Sequence, residues 1–121
     1  MKSFSHLLAL SLLIVAVTSV QAHSTLERSE PKNGAVLKQA PNEIRMWFSE
    51  PIKVTLSTIE VRDGSGKQVD GKDARADARE PSLVHLSLAP NLGTGTYKVS
   101  WTAVAQDMHV AKGSFSFRVA P

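Results

Sequence analysis

A period of two is the strongest constraint on how this chain can fold. Ile44, Met46 and Phe48 alternate with Arg45, Trp47 and Ser49. Val84, Leu86 and Leu88 alternate with His85 and Ser87. Tyr97, Val99, Trp101 and Ala103 are spaced by Lys98, Ser100 and Thr102, and Phe115, Phe117 and Val119 by Ser116 and Arg118. Successive side chains on an extended strand point to opposite faces, so each run reads as a strand with one face in a core. Residues 55–62 are β-branched and strand-like, and residues 25–29 form a candidate first strand. Between these runs lie Glu30-Pro-Lys-Asn-Gly34, Ala40-Pro-Asn42, Asp63-Gly-Ser-Gly66 and residues 89–95. Their proline, glycine and asparagine residues favour turns. After the first 22 residues no run shows a 3.6-residue apolar stripe. About six or seven short strands punctuated by such turns predict an all-β domain, a sandwich or a small barrel.

Residues 1–22 read as a secretory leader rather than as fold. Lys2 supplies the positive start, residues 7–17 are apolar apart from Ser11, and Val20 and Ala22 are the small residues a signal peptidase needs. The apolar run is short for a membrane span. The expectation is cleavage after Ala22, export to the periplasm, and one domain over residues 23–121. The chain has no cysteine, which excludes zinc fingers, Fe–S clusters, cysteine nucleophiles and blue-copper sites. An exported domain without disulfides must hold by packing alone. The formal charge of +3 is spread among Asp and Glu, and no basic stripe suited to nucleic acid emerges.

Cleavage after Ala22 gives His23 a free α-amine. That amine and the imidazole Nδ1 of one residue can close a six-membered chelate ring on a metal. The amine has an ordinary pKa near ~7.7–8.0, so a metal can displace its proton near neutrality. Asp107-Met-His109 offers a second imidazole and a carboxylate. Continued as a strand, Asp107 and His109 would follow Tyr97, Val99 and Trp101 into the core, where an unpaired carboxylate is costly. The strand is therefore expected to stop near Ala105, leaving the pair in a loop at one end of the domain. Glu50, before the strand-ending Pro51, is a fourth candidate, either as an axial ligand or as a group orienting the His23 amine or ring. Tetragonal nitrogen and oxygen donors suit Cu(II), which also tops the Irving–Williams order.

The chain resembles the CopC-type periplasmic copper-binding proteins. The matching pieces are His23, Ser29-Glu-Pro-Lys-Asn-Gly34, Phe48-Ser-Glu-Pro51, Gly95-Thr-Tyr-Lys-Val-Ser-Trp101, Asp107-Met-His109 and residues 113–119. Their order and spacing together carry the resemblance. It implies a Greek-key β-sandwich of about seven strands, Ig-like or cupredoxin-like. It also implies one Cu(II) per chain held by His23, Asp107 and His109, with Glu50 as a ligand or near-ligand. A monomer serving copper homeostasis or resistance without catalysis follows, with an inner-membrane CopD-type transporter as the implied partner. Some members also bind Cu(I) through a methionine-rich loop. Residues 63–81 contain neither Met nor His, so no separate Cu(I) site is expected.

Two other functions compete with this one. Copper-dependent monooxygenases use a similar N-terminal histidine brace, but Asp107 and Glu50 would crowd the metal here. A metal-free interaction module is the other. Residues 67–81 read as a solvated loop with at most a short helix over 73–79. His85 falls on a polar face, Tyr97 and Trp101 in the core, and Trp47 out of phase, either packed between strands or shielding the metal. Gly64-Ser-Gly-Lys67 lacks the rest of a P-loop, Ala74 replaces the glutamate an EF-hand needs, and no Gly-x-Ser-x-Gly occurs.

Overall fold

The period-two runs fold as strands with the expected inward faces. The computed structural model describes residues 25–121. It contains β1 (Leu26–Glu30), β2 (Val36–Leu37), β3 (Glu43–Phe48), β4 (Thr58–Arg62), β5 (Arg75–Ala76), β6 (Leu83–Ser87), β7 (Gly95–Val104) and β8 (Val110–Val119). Two four-stranded sheets result, ordered β1-β3-β6-β5 and β2-β8-β7-β4. Neighbours run antiparallel except β2 and β8, which are parallel. The all-β sandwich expected from the alternation is the observed fold. Two of the eight strands, β2 and β5, are two residues long, too short for a periodic signal.

Ile44, Met46 and Phe48 from β3, Val84 and Leu86 from β6, Val61 from β4, Val99 from β7 and Phe117 from β8 are nearly or fully buried in one cluster. These are the inner-face positions of strands in both sheets. Tyr97 stacks on Phe117 with ring centroids 5.4 Å apart. Its hydroxyl donates to the Gly93 carbonyl at 2.6 Å, which satisfies the polar tip of a buried ring. Trp101 packs against the core but is only half-buried. Its ring lies over Gly113, its partner on β8, where a Cβ would come within 2.3 Å of the indole.

The structure corrects two expectations. Residues 55–62 are not one strand. A 3-10 turn, Val54–Leu56, precedes β4, because Lys53 N donates to Val104 O and Ser57 Oγ accepts from Val104 N. Those bonds hold the segment against the end of β7 and bend it away from a ladder. Residues 67–81 contain no helix, and they are not wholly solvated. Val69 is buried, Gln68 bridges Arg62, Asp70 bridges Leu88, and β5 pairs with β6.

Candidate metal centre

The β7–β8 hairpin builds the candidate site. β7 ends at Val104 and β8 begins at Val110, with Val104 and Val110 as the last ladder pair. Ala105 N donates to His109 O at 2.8 Å, and Met108 N donates to Ala105 O at 2.9 Å. Met108 takes a positive φ of 70°. The backbone between Asp107 and His109 therefore turns instead of running extended. The strand stops where the cost of a core carboxylate required it to stop.

Asp107 folds back on this turn. One carboxylate oxygen accepts the His109 amide at 3.1 Å. The other lies 2.8 Å from His109 Nδ1. An ionised carboxylate only accepts, so in the neutral form of the His109 ring this contact places the proton on Nδ1 and the lone pair on Nε2. Carboxylate partners of this kind commonly fix the tautomer and orientation of ligating imidazoles. The His109 side chain is 62% exposed and that of Asp107 40%, so both lie at the surface of this end of the sandwich.

Glu50 lies in the connection from β3 to the 3-10 turn. Two residues later Ile52 bridges Ala105, and Lys53 N donates to Val104 O at 2.8 Å. These contacts hold the connection against the same hairpin. The beginning of the described chain is tied there too. Thr25 O accepts Ser49 N at 2.8 Å, and Thr25 N donates to Ser49 Oγ at 2.9 Å. The fold thus brings Asp107 and His109 into contact and carries Glu50 to the same end of the sandwich. His23 lies outside the described residues. Among the described residues, no three His, Asp or Glu side chains converge on a point that could hold a metal. The role of Ser49 in anchoring Thr25 had no signal in the sequence, because it depends on a backbone 24 residues away.

His85 takes no part in this centre. Its Nε2 lies 2.8 Å from Asp77 Oδ1, and its Nδ1 lies 3.3 Å from Glu43 Oε2. With a carboxylate on each side of the ring, His85 ties β3 to the segment after β5. The His85 bond is the chief reason the Asp77 carboxyl is held below its ordinary range; the Arg79 and Glu80 amides add to it. Trp47 packs on the outer face of the first sheet, with the Arg28 guanidinium 3.9 Å above its ring and Glu80 3.4 Å from Nε1.

A CopC domain model matches residues 26–120. The chain belongs to the CopC domain family. It is 33% identical over 124 residues to copper resistance protein C of Pseudomonas syringae pv. tomato, covering 97% of this chain and 94% of that protein. It is 28% identical to the copper transport protein CutJ of Bacillus subtilis over 93% of this chain but only 21% of CutJ. Among solved structures it is similar to PcoC, a methionine-rich copper resistance protein from Escherichia coli, at TM-score 0.69 and 30% identity. That match covers 82% of this chain and all of PcoC. The CopC fold accounts for the two-sheet sandwich, and the matched region includes Glu50, Asp107 and His109.

Proposed function

We propose that this CopC-family chain is a periplasmic Cu(II)-binding protein of copper homeostasis and resistance, binding one Cu(II) per chain without catalysing a reaction. The observation that carries the reading is the Asp107–His109 pair, an imidazole and a carboxylate set together in a hairpin loop at one end of the sandwich. The family match begins at residue 26, which supports reading residues 1–22 as a leader and His23 as the first residue of the mature chain. Thr25 is fastened beside Glu50 through Ser49, and two residues of extended chain span about 7 Å. In this reading His23 supplies amine and imidazole nitrogens and His109 a third nitrogen, and Asp107 supplies an oxygen on releasing its bond to His109 Nδ1. Glu50 ligates axially or orients His23. Three nitrogens and a carboxylate favour Cu(II) over softer Cu(I). Met46 is buried in the core and Met108 exposed beside the loop, so no thioether cluster forms among the described residues. The copper is cargo, sequestered or passed on. The match to about a fifth of a copper transport protein supports an inner-membrane CopD-type transporter as the partner.

The test is Cu(II) titration of the secreted protein with intact mass and EPR. The expected result is a start at His23, 1:1 binding and a tetragonal spectrum with nitrogen couplings. His109→Ala should weaken Cu(II) binding by at least about tenfold. One added N-terminal residue should do the same, while His85→Ala leaves affinity unchanged. If His109→Ala and the N-terminal extension both leave affinity unchanged, the site is wrong.

A further inference from the structure

The outer face of the second sheet has chemistry that a metal centre does not use. Lys98 on β7 and Lys112 and Arg118 on β8 stand exposed, among Thr96, Ser100, Thr102, Ser114 and Ser116. Arg62 on β4 pairs with Glu60 at 3.1 Å. Among the described residues, Lys98, Lys112 and Arg118 have no ion-pair partner. Lys98 even faces Arg62 directly across the ladder, an arrangement of like charges that costs stability.

Of Lys98, Lys112 and Arg118, only Lys112 lies where the edge of the sheet is open, along the first half of β8. Ala105 N donates to His109 O, Gly34 N to Ser116 O and Arg118 N to Ala35 O. This parity turns the backbone groups of Val110, Lys112, Ser114, Ser116 and Arg118 away from β7. Residues 33–35 occupy the outward groups at Ser116 and Arg118, including Asn33 Oδ1, which accepts Ser116 N at 3.2 Å. Those of Val110, Lys112 and Ser114 have no protein partner among the described residues. The open run is about 17 Å long at strand spacing, and Val110 adds a half-exposed apolar side chain.

We propose that the β8 edge and its basic face form a docking site for an extended acidic segment of a partner protein. The segment adds to the open run of β8 as a strand, with a carboxylate meeting Lys112; Lys98, opposite Ser116, and Arg118 stand farther along β8, toward the end that residues 33–37 cover. An edge of alternating N–H and C=O groups is matched by another backbone, whereas a lipid phosphate can only accept. A second copy of this chain is disfavoured. Antiparallel pairing of residues 110–114 with themselves would set Lys112 against its own copy, the usual device that blocks edge association. β8 starts directly after His109, so the docked segment lies beside the hairpin, but the proposal does not depend on bound metal.

The test titrates the isotope-labelled secreted protein, metal-free, with a ten-residue peptide of alternating valine and glutamate. A valine–lysine peptide and phosphatidylglycerol vesicles are run in parallel, with amide exchange and sedimentation as readouts. Expected are exchange slowed about tenfold or more at Val110, Lys112 and Ser114 by the acidic peptide alone, and affinity that falls with salt. Lys112→Glu should lower that affinity at least about tenfold. Lys112→Pro, which removes one outward N–H and leaves the β7 ladder intact, should abolish protection. Four results overturn the proposal: no protection by the acidic peptide, equal binding of the lysine peptide, binding of vesicles but not peptide, or self-association through these amides.

Discussion

The two outer faces of the sandwich are made from the same kinds of residue and end in opposite electrostatic states. On the first sheet, charges are paired across strands. Arg45 pairs with Glu30 and lies 3.7 Å from Glu43, Arg75 lies 3.9 Å from Glu43, and His85 lies 2.8 Å from Asp77. Arg28 stacks 3.9 Å over Trp47. On the second sheet, among the described residues, one ion pair, Arg62 with Glu60, stands beside three cations without an ion-pair partner. Each exposed pair is worth only about 0.2–1 kcal/mol, so the contrast has little bearing on how the domain stays folded. It bears on availability: the first face is satisfied internally, and the second leaves charge and a strand edge for something else.

The comparison breaks most readily from beneath the second face. Gly113→Ala drives a Cβ into the Trp101 ring at 2.3 Å. The indole cannot swing aside while it packs against the core, so unfolding in urea should show a loss of about 1–3 kcal/mol. On the first face, Trp47→Ala removes the Arg28 stack and the ring's half-buried area. The same assay should show about 1–2 kcal/mol.

Acid sharpens the contrast. The Asp77 carboxyl is held low, first by His85 and then by the Arg79 and Glu80 amides, and Asp73 is held low chiefly by hydrogen bonding at Ser87. A depressed folded-state pKa contributes stability that is present above the unfolded value near 3.8 and is lost as pH falls through the folded one. Melting temperature should therefore fall as pH drops from about 5 towards 2. Asp77→Asn should be less stable at neutral pH and show a shallower fall. The smallest effect belongs to the second face. Lys98→Ser, which relieves the facing Arg62, should change stability by no more than about 0.5 kcal/mol, and a larger loss would mean the face is structurally committed.

The fold was legible because burial imposes a period that the sequence records. Ile44, Met46 and Phe48 alternate in the chain, and they are buried at alternate positions in β3. Asp107 and His109 were legible for the converse reason: their parity pointed inward and their chemistry forbade it, which required a loop. The 3-10 turn before β4 was not, since residues 54–56 are held by bonds to Val104 and not by their own propensity. Nor were the partners of His85, because Glu43 lies 42 residues away and Asp77 sits in a segment without periodicity.

By itself, then, the sequence determined that the chain is an all-β domain, which positions face inward, and that Asp107 and His109 leave the strand for a loop. Those follow from local rules of alternation, turn chemistry and desolvation. That the Asp107 and His109 side chains meet there is the structure's finding. Only the tertiary structure decided that Ser49 fastens Thr25 beside Glu50, that His85 is tied between two carboxylates, and that Lys98, Lys112 and Arg118 share a face without counter-ions among the described residues. Ion pairing and edge closure depend on which strands become neighbours, and strand order is set by packing across the whole chain.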